Sequence, residues 1–225
     1  MADRARNSAV IFDVDGVLLE LTAAEEDAFF LAFERRYGLT GLSRDWDSYR
    51  VRNDEHIIAE ILETHGLPAQ DSAAVVEDYL AILSSGLERG TIPSVTIPGA
   101  ADMLRELSIT HSTGIATANL LAAARLRLEN QNLWAPVSLL AFGAEGSGHK
   151  RDTVARAIAA TSLPKHRIVY IGDNLNDVDA GFANGVHFIG FSTDAARRKT
   201  LQAAGALHMS GDHLTTLHLV RHLLQ

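Results

Sequence analysis

Five short runs of the chain are β-rich and largely apolar without alternation, the pattern of strands covered on both faces. They are AVIFD (9–13), STGIAT (112–117), VSLLAF (137–142), RIVYIGD (167–173) and GVHFIGF (185–191). Between and beside them, apolar residues recur at helical spacing in PGAADMLREL (98–107), NLLAAARLRLEN (119–130), KRDTVARAIAAT (150–161) and NDVDAGFAN (176–184). Strands alternating with helices of about ten residues predict a parallel sheet with helices on both faces, a doubly wound α/β domain.

Residues 20–90 break this alternation. They carry no strand signal, but AAEEDAFFLAFERRYG, EHIIAEILETHG and SAAVVEDYLAILSSG repeat apolar positions at helical spacing. Gly38, Gly66-Leu67-Pro68 and Gly86 read as helix stops, and TIPSVTIPG after Arg89 reads as a linker back to the α/β part. The expected division is an α/β core over 1–17 and 96–225, with an α-helical domain over 18–95 inserted after the first strand. A last helix from about Asp212 closes the fold.

Composition narrows the function classes. Of 225 residues, 20 are basic and 28 acidic, a formal charge of −8 that argues against a nucleic-acid or anionic-membrane surface as the main partner. The absence of cysteine removes disulfides, thiolate metal sites and a thiol nucleophile. No apolar run approaches the eighteen or so residues of a membrane span. The apolar stretch after MADRARNS ends at Asp13, too short for a signal-peptide core. A soluble, cytoplasmic protein is expected.

In doubly wound sheets the ligand lies beyond the carboxyl ends of the strands, so polar residues there carry the chemistry. The first strand runs into Asp13-Val14-Asp15-Gly16, whose two carboxylates, two residues apart, can face one site. Such neighbours repel, and a bound cation relieves the repulsion; a plain Asp-Gly turn is the alternative for the segment alone. Thr117-Ala118-Asn119 follows the next strand, where a hydroxyl and helix-start amides can hold a phosphate oxygen, or the threonine or asparagine can simply cap the helix. Lys150 ends the glycine-rich loop GAEGSGHK, in a chain with only three lysines against seventeen arginines. In YIGDNLNDVDAG, Asp177 and Asp179 suit a helix N-terminus, but Asp173 is an acid at the end of a buried strand. Oxygen ligands of this kind suit Mg²⁺ completed by a substrate phosphate. Neither an EF-hand loop nor a dinucleotide fingerprint fits these spacings.

The ordered series DxDG, strand-end Thr, loop Lys, GDxxxD resembles the haloacid dehalogenase superfamily over essentially the whole chain, and the helical insert resembles its C1-type cap. The resemblance implies Asp13 as the nucleophile that becomes an aspartyl-phosphate, and Asp15 as general acid, then base. It implies Thr117, with Ala118, Asn119 and Lys150, around the phosphoryl group, and Mg²⁺ held by Asp13, Asp173, Asp177 and the Asp15 backbone carbonyl. Dehalogenases lack the second acid of the pair, so Asp15 argues against dehalogenation. The phosphonate-cleaving branch uses a cap lysine, and 18–95 holds none. The sugar-phosphate mutase branch usually carries a histidine in the first cap helix, where this chain has Glu25.

What remains is similar to the phosphoglycolate-phosphatase-like group: a Mg²⁺-dependent hydrolase of a small phosphomonoester, monomeric or homodimeric. A phosphomutase is the runner-up, and a non-catalytic phospho-receiver module comes third. Two positions depart from the family pattern. Arg151 follows Lys150 where proline is common, leaving either as the phosphate-binding cation, and Val17 stands where threonine is frequent. SYRVRNDEHI (48–57) resembles a cap segment of that group, so Arg50 and Arg52, with Glu25, are candidates for substrate specificity; both arginines also fit a solvated surface. His218 and His222, one turn apart without an acidic partner, read as an ordinary exposed face.

Overall fold

The computed structural model describes residues 6–225; residues 1–5, the start of the segment assigned to the α/β core, lie outside the described residues. In chain order, β1 (Ala9–Phe12) and the two-residue β2 (Leu19–Glu20) precede three helices, α1 (Ala23–Tyr37), α2 (Asp54–Thr64) and α3 (Ser72–Arg89). Then come β3 (Val95–Thr96), α4 (Ala100–Thr110), β4 (Ser112–Ala116), α5 (Leu121–Asn130), α6 (Trp134–Val137) and β5 (Ala141–Phe142). The chain continues through α7 (Lys150–Thr161), β6 (Ile168–Gly172), α8 (Leu175–Asn184), β7 (His187–Phe191), α9 (Ala195–Ala203), β8 (His208–Ser210) and α10 (His213–Leu223).

Six strands form a parallel sheet in the order β5-β4-β1-β6-β7-β8, the doubly wound α/β architecture expected. The chain winds outward from β1 on one side, then returns to its other flank, which makes β1 the switch point where such folds bind ligands. The continuous apolar reading of β1 has a direct cause. Val10 and Phe12 enter the core under α4, α5 and α10, while Ala9 and Ile11 enter the one under α7 and α8. A separate apolar core holds the three helices of the insert together around Phe29, Phe33, Ile57, Ile58 and Leu83, and Leu120 and Ala123 beside the sheet join it. The insert leaves and re-enters through β2 and β3, which pair antiparallel. Among the described residues no helix is long and apolar enough to cross a membrane.

Three readings need correction. VSLLAF is strand only at Ala141–Phe142: residues 134–137 are helical, 138–140 form a 3₁₀ turn, and Leu139 is 93% exposed, so its apolarity did not report burial. Gly86 does not stop a helix. It sits inside α3, where a side chain would collide with Ile92; Gly90, at φ +67°, provides the left-handed end. The second helix of the α/β part begins at Leu121 rather than Asn119, because Thr117-Ala118-Asn119 is a loop closed by its own side chains. The sequence reading also missed α9 and β8.

Candidate active site

Register sets the floor of the site. Phe12 of β1 pairs with Ile115 on one side and Ile171 on the other, so Thr117 and Asp173, each two residues further, stand at one height on either side of the chain just beyond Asp13. Asp13 is nine-tenths buried, with Oδ1 accepting the Val14 N–H at 2.7 Å and Oδ2 2.7 Å from Lys150 Nζ. Gly16, at φ +72°, lets the turn pass Asp173 where any side chain would strike its carboxylate. Asp15 lies past the end of the strand, in the turn, and reaches the same cavity as Asp13.

Charge is concentrated here. Burial first, then the neighbouring Asp177 and Asp173, holds the Asp13 carboxyl well above the usual carboxylate range, and Lys150 only partly offsets this. Asp173 is pushed up to about 7 by burial and by Asp177. Burial works against the charge of Lys150, but Asp13 and Asp177 outweigh it and strengthen its hold on the proton. Carboxylate oxygens of Asp13, Asp173 and Asp177 lie within 4.8 Å of one another. One lysine does not balance two buried acids and a half-buried third, and an oxygen-only donor set with that charge deficit fits a hard dication.

The acids differ in what they have free. Asp177 Oδ1 accepts from Tyr170 OH at 2.5 Å and faces Lys150 Nζ at 3.1 Å, while Oδ2 accepts the backbone N–H groups of Asp173 and Asn174 at 3.1 and 3.0 Å. Both its oxygens are thus engaged by protein donors, and it completes the N-terminal capping box of α8 with Asn174. Of the two candidate cations, Lys150 is buried against Asp13, whereas Arg151 is exposed outside this cavity. Asp179 is also exposed.

Thr117 is buried, and its Oγ1 donates to Asn119 Oδ1 at 2.8 Å and accepts the Asn119 N–H at 3.2 Å. Ala118 and Asn119 line the cavity beside it. The first free amides of α5 are taken from elsewhere: Leu120 N–H by Asp54 Oδ2 and Leu121 N–H by Glu145 Oε1, both at 2.8 Å. Asp54 opens α2, and its own N–H donates to Ala118 O at 3.0 Å. Its neighbours bind the next loop: Asn53 Nδ2 donates to Ser147 O, and Glu55 Oε2 accepts the Gly146 N–H, each at 3.0 Å. One turn of α2 therefore holds the loops that carry Thr117 and Lys150. Burial pushes the Asp54 carboxyl up to about 7, with the Leu120 N–H pulling the other way.

The cavity, about 470 Å³, opens between this floor and the insert. Of the specificity candidates, Arg52 lines it and pairs with Asp47 at 2.8 Å. Arg50 does not line it; it is exposed and paired with Glu60 and Glu63. Glu25 is buried against Arg127 of α5, 2.7 Å from Nε, and Arg127 Nη2 reaches Asp15 Oδ1 at 2.6 Å. Sequence reasoning missed Arg127, Asn53, Asp54 and Glu145. Only the Thr22-x-x-Glu25 capping box was readable as a motif, and it is present. His218 and His222 are exposed, as read.

The sequence model of the haloacid dehalogenase-like hydrolase family matches residues 10–191. A CbbY protein of Rhodobacter sphaeroides, solved in complex with phosphate, is similar at TM-score 0.72 and 20% identity, covering 92% of this chain and 94% of its own. A hydrolase of Pseudomonas syringae gives TM-score 0.71 at 18% identity, covering 97% of this chain and all of its own (100%). A Thermotoga maritima chain provisionally named a β-phosphoglucomutase gives 0.64 at 19%, covering 95% and 99%. At such identities these likenesses show the shared fold. No curated protein matches the sequence.

Proposed function

The chain belongs to the haloacid dehalogenase-like hydrolase family, and on that premise we propose that it is a Mg²⁺-dependent phosphatase of small phosphomonoesters, of the phosphoglycolate-phosphatase-like kind, acting through an aspartyl-phosphate on Asp13. The observation that carries this reading is the Asp13 carboxylate, 2.7 Å from a buried lysine and grouped with Asp173 and Asp177. Residues 18–95 serve as the cap and the remainder as the core. Asp13, Asp173 and the Asp15 backbone carbonyl would hold Mg²⁺, which when bound offsets the charge of the phosphoryl group. Asp177, with both oxygens engaged by protein, we assign to positioning Lys150 and the Asp173 backbone rather than to direct ligation.

An oxygen of Asp13 attacks phosphorus as the ester P–O bond breaks in line, and Asp15 gives its proton to the leaving oxygen. Lys150 and the Thr117 hydroxyl hold the phosphoryl oxygens, which lowers the repulsion between a carboxylate and a phosphate dianion. Asp15, now ionised, takes a proton from water. The water oxygen attacks phosphorus, the bond to Asp13 breaks, and phosphate leaves with Asp13 restored. Arg52 would meet the part of the substrate remote from the phosphate.

The test is phosphate release from p-nitrophenyl phosphate and a panel of metabolite phosphates, with Mg²⁺, with EDTA and in Asp13→Asn. Release that needs metal and vanishes in the variant is expected. No release from any panel member by protein with a native circular-dichroism spectrum overturns the reading. Turnover of a sugar monophosphate that a bisphosphate activates, without net phosphate release, would point to a mutase instead.

A further inference from the structure

Among the described residues, Arg127 is the largest side chain that is fully buried, and it carries a charge. It projects from α5, yet its contacts are with two other parts of the chain. Nε donates to Glu25 Oε1 at 2.7 Å and Nη2 to Glu25 Oε2 at 3.3 Å, a side-on bidentate pair that fixes the plane of the guanidinium. Nη2 also donates to Asp15 Oδ1 at 2.6 Å and to Glu20 O at 3.1 Å. Glu25 is itself immobilised, since its Oε2 accepts from the backbone N–H and hydroxyl of Thr22 at 2.9 and 3.1 Å. An apolar side chain of similar volume would fill this space without the desolvation of three charged groups, so packing alone does not account for an arginine here.

The consequence falls on Asp15. One of its oxygens is held from behind, its side chain keeps 23% exposure, and it borders the cavity over Asp13. We propose that Arg127, fixed by Glu25, is the positioning residue for Asp15. It would hold Oδ1, so that Oδ2 carries the proton that passes to the leaving oxygen and later returns from water. This rests on the phosphatase reading above. Glu25, a specificity candidate by sequence, thereby acquires a different role. With 1% of its side chain exposed, it sets the arginine rather than touching substrate. Proton transfer is efficient only from a donor held within hydrogen-bond reach of its target, and a misplaced donor costs most where the leaving group most needs the proton.

That dependence supplies the test. Wild type, Arg127→Met, Arg127→Lys and Glu25→Gln/Arg127→Met are compared on p-nitrophenyl phosphate, whose leaving group departs readily as an anion, and on phenyl phosphate, whose leaving group depends more on protonation. With saturating Mg²⁺, Arg127→Met is expected to lose about tenfold more kcat on phenyl phosphate than on p-nitrophenyl phosphate. Competitive inhibition by inorganic phosphate should be unchanged, and Arg127→Lys should recover part of the loss. The double variant removes the charge together with its partner, so it carries the same expectation if the single variant does not fold. Equal losses on both substrates, or no loss, overturn the proposal while leaving the phosphatase reading intact. Failure of the wild type on both substrates overturns the phosphatase reading first.

Discussion

The two walls of the cavity are built by different means. On the floor, Asp13, Thr117 and Asp173 lie one residue beyond parallel strands whose register fixes their relative heights, and Lys150 is the first residue of α7. On the roof, Trp46, Arg52 and Asp54 come from a 3₁₀ turn, a loop and the first turn of a helix. They are held by aromatic packing of Phe29, Phe30 and Trp46 and by the hydrogen bonds of α2 to the core loops. Under the proposed function, a floor fixed by strand register would give every substrate the same phosphate chemistry. The roof is where one substrate can be told from another.

Lys150→Met should separate the walls most sharply. Loss of the cation facing the phosphoryl group is expected to lower kcat by about a hundredfold or more, read as phosphate release. Without metal it should also destabilise the protein by about 3–5 kcal/mol in urea titrations, because Asp13 and Asp177 stay buried without their partner. Activity within tenfold of wild type would break the assignment of the floor.

On the roof, Asp54 makes stability depend on pH. Its folded value of about 7 lies above the ordinary 3.8, so the folded chain keeps a proton that the unfolded chain releases. The contribution of Asp54 to stability should therefore fall as pH rises from about 4 to about 7, by roughly 4 kcal/mol, and change little above that. Asp54→Asn, which still accepts the Leu120 N–H, should lessen the slope of urea midpoints measured from pH 5 to 8, leaving the part that buried Asp13 and Asp173 contribute. An unchanged slope would mean that the roof carboxyl is ionised throughout.

Metal binding divides the walls again. Mg²⁺ at a hundredfold its Kd should raise unfolding stability by about 2.7 kcal/mol. Asp173→Asn should abolish that gain, and Asp54→Asn should keep it. The smallest effect belongs to Arg50→Ala. Its exposed pairing with Glu60 and Glu63 predicts unchanged turnover and an unchanged urea midpoint. A rise in KM in that variant would place Arg50 against substrate and redraw the roof.

Legibility in the sequence followed the same division. β1, β4, β6 and β7 could be read because a strand covered on both faces must be apolar throughout, and acids directly after such strands are conspicuous. VSLLAF misled because two leucines beside Pro136 satisfy a burial pattern in a segment whose Leu139 faces solvent. Arg127 was invisible for the opposite reason. Within ARLRLEN it reads as a charged, solvated helix face, and only tertiary structure brings Glu25 and Asp15 to it from more than a hundred residues away. Asp54 was likewise readable as an acid in the first turn of a helix, but not as a buried group binding a loop sixty-six residues further on. Hydropathy reports the average fate of a residue type, and these sites depend on exceptions to it.

The first turn of α2 bears on how such a protein can change over time. Asn53, Asp54 and Glu55 answer to both core loops at once, so inserting or deleting a residue there would shift the surroundings of Thr117 and Lys150 together. Residues 43–52, immediately before, direct their side-chain hydrogen bonds to one another and to α1 and α2. Mutations can accumulate in that stretch without disturbing the floor. Under the proposed function, new substrate preferences would be most accessible there, a few residues from a turn whose length the two core loops constrain.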